Sequence, residues 1–487
     1  MILYGVSATW TFFNTGADKA TILHLPGELE SAYQPKVNWN VTNQQGRSME
    51  TQTLRELEKD YKNAWYVKYS ALASNNPFGL ADYYTSDAKD YIERLLDYNR
   101  TNDIYTRGTS IQHNPELLFY SLDGKLVVFT DKNLETFEET YVDDKLLHRE
   151  SSIGSYQVTM LLEDGFWRIR QLVKIASKKP SLGRRTVNVN KINKGINYYP
   201  KEHPWDMFSE NFNDSIVQKD FVLLKKMDFN SVRIFIPYKA FGGPNVKISC
   251  LQQVHSLLDI AKKQQLKVLI TLFDFYGNYD VLDWTLTHRH AEHIVNSLKN
   301  HDALLGWDIK NEPDLDYESR GKENVKAWLT AMAKQIKYWD TKHPITIGWS
   351  NPEAAIDLAN EVDLVSFHYY GSLENLFNRY QKLKEQVPDK PLVLQEYGYS
   401  SYSGVWNGLI SSENKQADYL KAIQKFISDE ELPYFLWTLY DFEKIPNAVA
   451  GRLPWRKTKQ KYFGLLDTGG KPKKAYQVLL KNKKGNN

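Results

Sequence analysis

Strand-like and helix-like segments alternate from about residue 195 to the end of the chain, and this alternation constrains the fold more than any other feature. Eight apolar segments carry the strand signal, at 195–199, 231–237, 267–273, 304–311, 345–349, 364–370, 392–396 and 434–440. Amphipathic segments such as 251–264 and 324–339 separate them, which is typical of parallel strands joined by crossover helices. Eight such units predict an α/β fold, a (β/α)8 barrel over residues 195–487. The alternative is a doubly wound open sheet, but no glycine-rich phosphate turn follows an early strand.

The fourth and seventh predicted strands both end on a glutamate. The segment 305–314 contains Asn311-Glu312-Pro313, and the proline ends the strand because it cannot donate to a sheet ladder. The segment 391–398 ends in the same way on Glu396. A lone Asn-Glu-Pro is equally well explained as a turn with a solvated glutamate, but a second glutamate at a second strand end makes a carboxylate pair possible. Because barrels of this kind carry their chemistry at the carboxyl ends of the strands, Glu312 and Glu396 are the candidate catalytic residues.

Further polar and aromatic residues lie at the carboxyl ends of the other predicted strands. Two of them, His368 and Tyr370, are two positions apart on one strand and therefore share a face. Taken singly, each also has an interpretation as a residue satisfied inside the barrel. Taken together they predict a substrate-binding cleft, and the full set is Asn197, Arg233, Asp274, Asn311, His368, Tyr370 and Trp437.

The part of the chain over about residues 190–480 resembles the clan A retaining glycoside hydrolases, particularly the family 5 cellulases and mannanases. The matching positions are Arg233 in Val-Arg-Ile-Phe, Asn311-Glu312-Pro313, His368 and Tyr370 in Phe-His-Tyr-Tyr, Glu396 in Gln-Glu-Tyr-Gly, and Trp437 in Phe-Leu-Trp-Thr. The resemblance implies that Glu312 is the acid/base and Glu396 the nucleophile. Family 5 usually has a histidine after the third strand, whereas this chain has Asp274 there. This difference leaves open how the 3-hydroxyl of the −1 sugar is bound, and with it the family 5 substrate assignment.

The chemistry of retention makes separate demands on the two glutamates. One carboxylic acid protonates the leaving oxygen while a carboxylate about 5 Å away attacks the anomeric carbon. We expect Arg233 and Tyr370 to favour the ionised form of Glu396, and the charge of Glu396 to raise the pKa of Glu312. The sequence therefore predicts a retaining hydrolase acting on a β-linked oligo- or polysaccharide by double displacement. A transglycosylase would use the same residues, and a carbohydrate-binding barrel without turnover is the alternative from another class.

Sugar contacts are expected from an amide and an indole, and no cofactor is implied. Asn311 can donate to the 2-hydroxyl, and Trp437 offers a flat apolar floor for the −1 sugar. His290 and His293 share a helix face, but no carboxylate is suitably spaced to complete a metal site. We therefore expect neither a metal nor a cofactor.

The residues before the barrel predict a separate α+β domain. Helical spacing covers 51–75 and 79–100, and strand-like segments follow at 110–120, 125–131, 135–142, 154–163 and 166–175, with two-residue turns at Asp123-Gly124 and Asp164-Gly165. The pattern, and above all the segment 155–170, resembles the cone-shaped nuclear transport factor 2-like domains. Some members of that superfamily are enzymes with an acid and a base, but no His and Asp pair is evident here. We therefore predict a binding or spacer role, with protein or glycan contacts.

Composition and charge indicate which partners, domain boundaries and location to expect. The chain has 487 residues and a net charge of +3, which does not require nucleic acid as a partner. We predict an N-terminal extension over 1–39, the α+β domain over 40–176, a basic linker over 177–194 and the barrel over 195–487. The apolar opening 1–16 is too short to span a bilayer and lacks the features of a signal peptide. It is either a packed strand or the remainder of a targeting segment, and we expect an extracytoplasmic or membrane-associated location.

Overall fold

The computed structural model describes residues 33–178, 194–404, 411–450 and 453–481. The chain forms two compact units, one of residues up to 183 together with 279–289, the other of residues 184–278 and 290–487. Most of the predicted N-terminal extension, including the apolar opening, lies outside the described residues, and so does the predicted linker from 179 to 193. The predicted domain boundaries therefore stay a prediction. No helix of the described ranges is long and apolar enough to cross a membrane.

The first unit is an α+β structure in which helices pack against a sheet. Its helices are α1 (Thr51–Ser74), α2 (Leu80–Tyr83) and α3 (Ser86–Thr101). Its strands are β1 (Lys36–Val37), β2 (Gln45–Gly46), β3 (Ile104–Ser110), β4 (Gln112–His113), β5 (Pro115–Tyr120), β6 (Leu126–Val142), β7 (Lys145–Glu163) and β8 (Phe166–Lys178). The main sheet has the order β2-β5-β6-β7-β8, and β3 pairs with the second half of β6. Trp65 from α1 and Phe129 and Trp167 from the sheet are buried in its core. The resemblance to nuclear transport factor 2-like domains stays a prediction.

Four predicted elements of this unit differ from the structure. The helix predicted at 79–100 is two helices, because Thr85 leaves the helix and donates its N–H to the carbonyl of Ile169 in β8 (3.1 Å). The strands predicted at 125–131 and 135–142 are one strand, β6, whose pairing with β7 shifts between Asp131 and Leu134. The strand predicted at 110–120 is divided among β3, β4 and β5.

Of the two predicted two-residue hairpin turns, the structure has the one at Asp164-Gly165 but not the one at Asp123-Gly124. Glu163 pairs with Phe166, so Asp164-Gly165 is the predicted two-residue turn. Tyr120 pairs with Val127, which makes the loop around Asp123-Gly124 longer than two residues.

A buried His–Asp pair lies inside the first unit, although no pair was evident from the sequence. The Nδ1 atom of His113 is 2.6 Å from Oδ2 of Asp131, and both side chains are completely buried. Asp131 also accepts from the hydroxyl of Tyr61 (2.8 Å), while Nε2 of His113 contacts the hydroxyls of Tyr33 (3.0 Å) and Ser110 (3.1 Å). The expectation that this unit lacks such a pair was wrong. The described contacts of the pair are to protein groups, which is typical of a polar network that fixes the core.

The second unit is a closed eight-stranded parallel barrel, which confirms the predicted fold. Its strands are β9 (Lys194–Asn197), β10 (Ser231–Pro237), β11 (Lys267–Asp274), β12 (Leu304–Asn311), β13 (Ile345–Trp349), β14 (Val365–Tyr369), β15 (Leu392–Tyr397) and β16 (Tyr434–Leu436). The strands are almost completely buried, which explains why they read as continuous apolar runs. The largest difference is in the last strand, which ends at Leu436 because Tyr440, predicted to belong to it, pairs with Leu466 instead.

Helices follow or separate these strands. They are α4 (Asp214–Lys226), α5 (Ile248–Lys263), α6 (Trp284–Leu298), α7 (Tyr317–Arg320), α8 (Lys322–Trp339), α9 (Leu373–Gln386), α10 (Glu413–Asp429), α11 (Asn447–Ala450), α12 (Pro454–Gln460) and α13 (Lys474–Lys481). An apolar cluster fills one part of the barrel; Leu269, Leu305, Val393 and Phe435 come from four strands, and Leu364 comes from the residue before β14. Buried polar residues, including Arg233 and Asp308, occupy the part nearer the carboxyl ends of the strands.

Candidate active site

A pocket of about 450 Å³ opens at the carboxyl ends of the barrel strands. Aromatic rings form part of its wall, and carboxylates and an amide form another. Its lining includes Tyr199, Trp205, Phe235, Asp274, Lys310, Asn311, Glu312, Asp316, Tyr370, Glu396 and Trp437. A pocket of this size with a few convergent polar groups is suited to a small polar ligand.

Arg233 lies at the centre of the polar network beneath the pocket, and its side chain is completely buried. Its Nη1 donates to Oε1 of Glu396 (2.6 Å) and to Oδ1 of Asn197 (3.0 Å). Its Nη2 donates to Oδ2 of Asp308 (2.6 Å) and to Oδ1 of Asn311 (2.8 Å). The guanidinium is therefore fully committed to protein groups, and it fixes the direction of side chains from several strands at once.

Glu396 is held as an acceptor on both of its carboxylate oxygens. Arg233 donates to Oε1, and the hydroxyl of Tyr370 donates to Oε2 (2.8 Å). Burial, followed by the negative charges of Glu396 and Glu312, raises the pKa of Tyr370 well above its ordinary value, so this hydroxyl keeps its proton and remains a donor. Glu396 thus has a fixed orientation at the edge of the pocket.

Glu312 has a different environment from Glu396. Its backbone is in the left-handed region (φ 46°), an uncommon conformation for a residue other than glycine, and its N–H donates to the carbonyl of Gly348 (2.6 Å). Its Oε1 is 2.8 Å from Nδ1 of His368. One carboxylate oxygen of Glu312 lies within 4.8 Å of one from Glu396.

The pKa of Glu312 is lowered, whereas the sequence led us to expect that it is raised. Burial raises this pKa, but the hydrogen bond and charge of His368, with the charges of Arg233 and Lys310, outweigh that effect. Burial lowers the pKa of His368, but the negative charge of Glu396 and the hydrogen bond to Glu312 outweigh it, so the net shift is upward. The expected raised pKa of Glu312 was therefore wrong, because the sequence does not reveal its bond to His368. Both shifts favour a proton on His368 and an ionised Glu312.

The predicted substrate-binding residues fall into two groups. Asp274, Asn311, Tyr370 and Trp437 line the pocket. The three others, Asn197, Arg233 and His368, are completely buried beneath it. The amide of Asn197 is engaged at both ends, since its Nδ2 donates to the carbonyl of Gln395 (3.0 Å). We correct the assignment of these three residues from substrate contact to positioning of the side chains that face the pocket.

The four pocket-lining residues offer distinct groups to a ligand. Because Oδ1 of Asn311 accepts from Arg233, its amide NH2 group is the end available as a donor. The ring of Trp437 packs edge-on against Tyr199 and Phe235. Oδ2 of Asp274 and Nε1 of Trp437 are both buried and have no hydrogen-bond partner among the described residues.

Two charged residues of the site that were not predicted are Asp308 and Lys310. Asp308 is completely buried and accepts from Arg233, from the hydroxyl of Thr271 (2.7 Å) and from the N–H of Gly348 (3.0 Å). Lys310 lines the pocket with its Nζ 3.3 Å from Asp316. The signal was present, because Asp308 and Lys310 alternate with Glu312 on a strand that is otherwise apolar.

Comparison with known proteins identifies the second unit. The family model described as cellulase (glycosyl hydrolase family 5) matches residues 189–443, more than half of the chain. Human β-glucuronidase is 26% identical over 317 residues, which cover 58% of this chain and 44% of that protein. The chain thus spans less than half the length of this curated relative.

Two solved structures share the fold at low sequence identity. The GH5_18 protein from Streptomyces cattleya, solved in complex with GlcNAc, has a TM-score of 0.50 at 16% identity and covers 61% of this chain and 80% of that chain. The exo-β-1,4-mannosidase from Opitutaceae bacterium strain TAV5 has a TM-score of 0.50 at 20% identity and covers 61% of this chain and 59% of that chain. At these identities the likeness is one of fold.

Proposed function

Because the chain belongs to the cellulase family, glycosyl hydrolase family 5, we propose that it hydrolyses β-glycosidic bonds with retention, using Glu312 as acid/base and Glu396 as nucleophile. One observation carries this proposal. A carboxylate oxygen of Glu312 lies within 4.8 Å of one from Glu396 at the strand ends. Retaining enzymes place their two carboxyl groups about 5 Å apart, whereas inverting enzymes separate them by about 6.5 to 9.5 Å to admit a water molecule.

The contacts of the two glutamates support the assignment of roles. Glu396 is 6% exposed and is held by two donors, which suits a carboxylate that must attack the anomeric carbon from a fixed position. Glu312 is 25% exposed, and among the described residues it forms its side-chain hydrogen bond with a titratable group, His368. That environment suits a group that must gain and lose a proton during each turnover.

The proton for the leaving group is assigned to the Glu312–His368 pair. We propose that in the free site the proton rests on His368; burial lowers the pKa of this imidazole, but the negative charge of Glu396 and the bond to Glu312 raise it overall. As Glu396 attacks and its charge is consumed in the new ester bond, that stabilisation of the imidazolium is lost. The proton then passes from His368 through Glu312 to the leaving oxygen, which is the coupled behaviour of two interacting groups. In the second step Glu312 takes a proton from the attacking water.

We propose a β-linked oligo- or polysaccharide as the substrate. The names of the similar proteins, a β-glucuronidase and an exo-β-1,4-mannosidase, describe enzymes that act on β-glycosides. The first unit is proposed to serve as a binding or spacer module that makes protein or glycan contacts. We keep the proposal of an extracytoplasmic or membrane-associated location.

Alanine variants of the two glutamates should fail in different ways. Glu396→Ala removes the group that forms the covalent intermediate, so natural and activated substrates alike should lose several orders of magnitude in rate, about 10⁴-fold or more. Glu312→Ala removes only the proton donor and base, so a 2,4-dinitrophenyl β-glycoside should still glycosylate Glu396 quickly. Azide should then restore turnover of this variant and yield a β-glycosyl azide. Glu353→Ala, at an exposed glutamate paired with Arg379, is the matched control and should behave as wild type.

Two results would count against the proposal. Formation of a β-glycosyl azide by the Glu396 variant, together with an α-glycosyl azide from the Glu312 variant, would exchange the two roles. Absence of turnover by wild type on every aryl β-glycoside tested would leave the barrel as a carbohydrate-binding module.

A further inference from the structure

The turn that carries Glu312 is tied by a carboxylate to the chain just beyond β13. Asp314 follows Glu312 by two residues, and its Oδ1 accepts from the N–H of Ser350 (3.0 Å). Its Oδ2 accepts from the hydroxyl of Ser350 and from Nδ2 of Asn351 (3.3 Å). Both oxygens of this carboxylate are therefore engaged with donors from one neighbouring segment.

The backbone around Glu312 explains why the turn needs such a tie. Asn311, the last residue of β12, pairs with Gly348, and the N–H of Glu312 still donates to the carbonyl of Gly348 (2.6 Å). Pro313 then has no N–H to donate, and the left-handed backbone of Glu312 (φ 46°, ψ 51°) is not a strand conformation. The carboxylate of Asp314 takes the place of the backbone pairing that ends here, since it binds the N–H of the first residue after β13.

We propose that Asp314 is a positioning residue for the acid/base Glu312, and that it acts by holding the turn against the end of β13. The proposal rests on the proposed function, since it concerns the orientation of one carboxylate of the same site. Glu312 is fixed on both sides of Pro313, by its own N–H before the proline and by the Asp314 carboxylate after it. An uncommon backbone conformation persists only where the surrounding contacts determine it. Loss of the Asp314 contacts should therefore let the Glu312 carboxylate shift.

The nucleophile is held by other groups. Glu396 lies on β15 and takes its orientation from Arg233 and from the hydroxyl of Tyr370. A shift of the turn should therefore misplace the proton donor, Glu312, and leave the attacking carboxylate in position. The two steps of bond cleavage, attack and protonation of the leaving oxygen, can then be affected separately.

Substrates with different leaving groups separate this role from a purely structural one. Phenyl and 2,4-dinitrophenyl β-glycosides of the same sugar are compared by kcat/KM, which reports formation of the glycosyl-enzyme. The phenyl leaving group needs a proton from the acid, whereas the dinitrophenyl group leaves without one. A misplacement of about 1 Å can cost about 100-fold in rate. For Asp314→Ala we expect a loss of roughly 10- to 100-fold on the phenyl glycoside and of less than about 3-fold on the dinitrophenyl glycoside.

Asp363→Ala is the matched control at the opposite end of the same strand. Oδ2 of Asp363 accepts from the N–H of Ile345, the first residue of β13 (3.0 Å). Any loss in this variant should be equal for both substrates, because the orientation of Glu312 does not depend on that contact.

A conservative variant gives a second test of the same contact. Asp314→Asn keeps an acceptor for the N–H of Ser350 and should show a smaller loss with the same dependence on the leaving group. It decides the matter if Asp314→Ala does not fold. An equal loss on both substrates, or no loss on the phenyl glycoside, would overturn the proposal.

A measurement on His368 keeps this proposal separate from the proposed function. Burial lowers the pKa of His368, but the negative charge of Glu396 and the bond to Glu312 raise it overall. An NMR titration of isotope-labelled histidine rings, assigned with His368→Phe, follows this pKa without any substrate. Asp314→Ala should lower it and Asp363→Ala should not, and an unchanged value in Asp314→Ala would overturn the proposal. A lowered value in a chain that cleaves no β-glycoside would refute the hydrolase and not the positioning of Glu312.

Discussion

Asp308→Asn is the substitution that tests most directly whether the buried network supports the site. Asp308 is completely buried and sits on β12, four residues before Glu312. Its Oδ2 accepts from Nε (3.1 Å) and Nη2 (2.6 Å) of Arg233 and from the hydroxyl of Thr271 (2.7 Å), and its Oδ1 accepts from the N–H of Gly348 (3.0 Å). All the groups that face this carboxylate are donors. An asparagine there must turn its NH2 group toward one of them, whichever way the amide is placed.

The expected magnitude follows from these contacts. The substitution removes one partner of a buried ion pair and leaves Arg233 with Glu396 as its remaining carboxylate. Breaking a buried pair in this way typically costs about 3 to 5 kcal/mol of stability. For a domain of this size each kcal/mol shifts the unfolding midpoint by about 2 to 4 °C, so Tm should fall by about 6 to 20 °C. Because Arg233 is then free to move away from Glu396, kcat should also fall.

The assay is scanning calorimetry of the full chain, with kcat on an activated aryl β-glycoside as the second measurement. Asp302→Asn is the matched control, since Asp302 forms an ion pair with Lys262 and is 71% exposed. Exposed pairs contribute little to stability, so the control should leave Tm unchanged within error. A Tm for Asp308→Asn within about 2 °C of the wild-type value would refute the reasoning, because the ion pair would then be dispensable for the barrel.

Two further predictions concern the neighbours of this network. His368→Phe should move the alkaline limb of the kcat/KM profile to lower pH, because the proton that His368 holds through its raised pKa is lost. An unmoved limb would show that the catalytic proton does not rest on His368. Gly348→Ala should cost about 1 to 3 kcal/mol of stability by overpacking and should also reduce kcat, since a Cβ there would be 2.6 Å from Oε1 of Gln395 and 3.1 Å from Nε2 of His368. Gly277→Ala, where a Cβ meets nothing within 4 Å, is the stability control, and an equal Tm for both variants would contradict the overpacking argument.

The barrel was predictable because its strands are buried on both faces. Each strand then appears as an apolar run, and Pro313 or a polar residue marks where it ends. Glu312 and Glu396 could be identified for the same reason, since a charged residue that closes an apolar run lies at the strand end. The prediction of the N-terminal helices was less exact. The break at Thr85 depends on a hydrogen bond to Ile169, a residue far away in the sequence.

Side-chain direction was the part that the sequence could not supply. Arg233 and Asp274 both lie on strands next to the pocket, yet one side chain is committed to protein groups beneath it and the other faces the cavity. Whether each of these side chains points beneath the pocket or into it depends on which carboxylates and amides converge from other strands. The pairing of His113 with Asp131 is a similar case, because it joins side chains of two strands, β4 and β6, that lie 18 residues apart in the sequence.

The asymmetry between the two glutamates also arises from neighbours rather than from their own sequence context. Both close a buried strand, and both are carboxylates within reach of His368. The difference is that Glu396 receives donors that do not titrate near neutrality, Arg233 and Tyr370, whereas the bond of Glu312 is to an imidazole. A nucleophile needs one constant protonation state, and an acid/base needs two that are close in free energy. Donors of fixed charge satisfy the first requirement and a titratable partner satisfies the second, so the proposed roles follow from what surrounds each carboxylate.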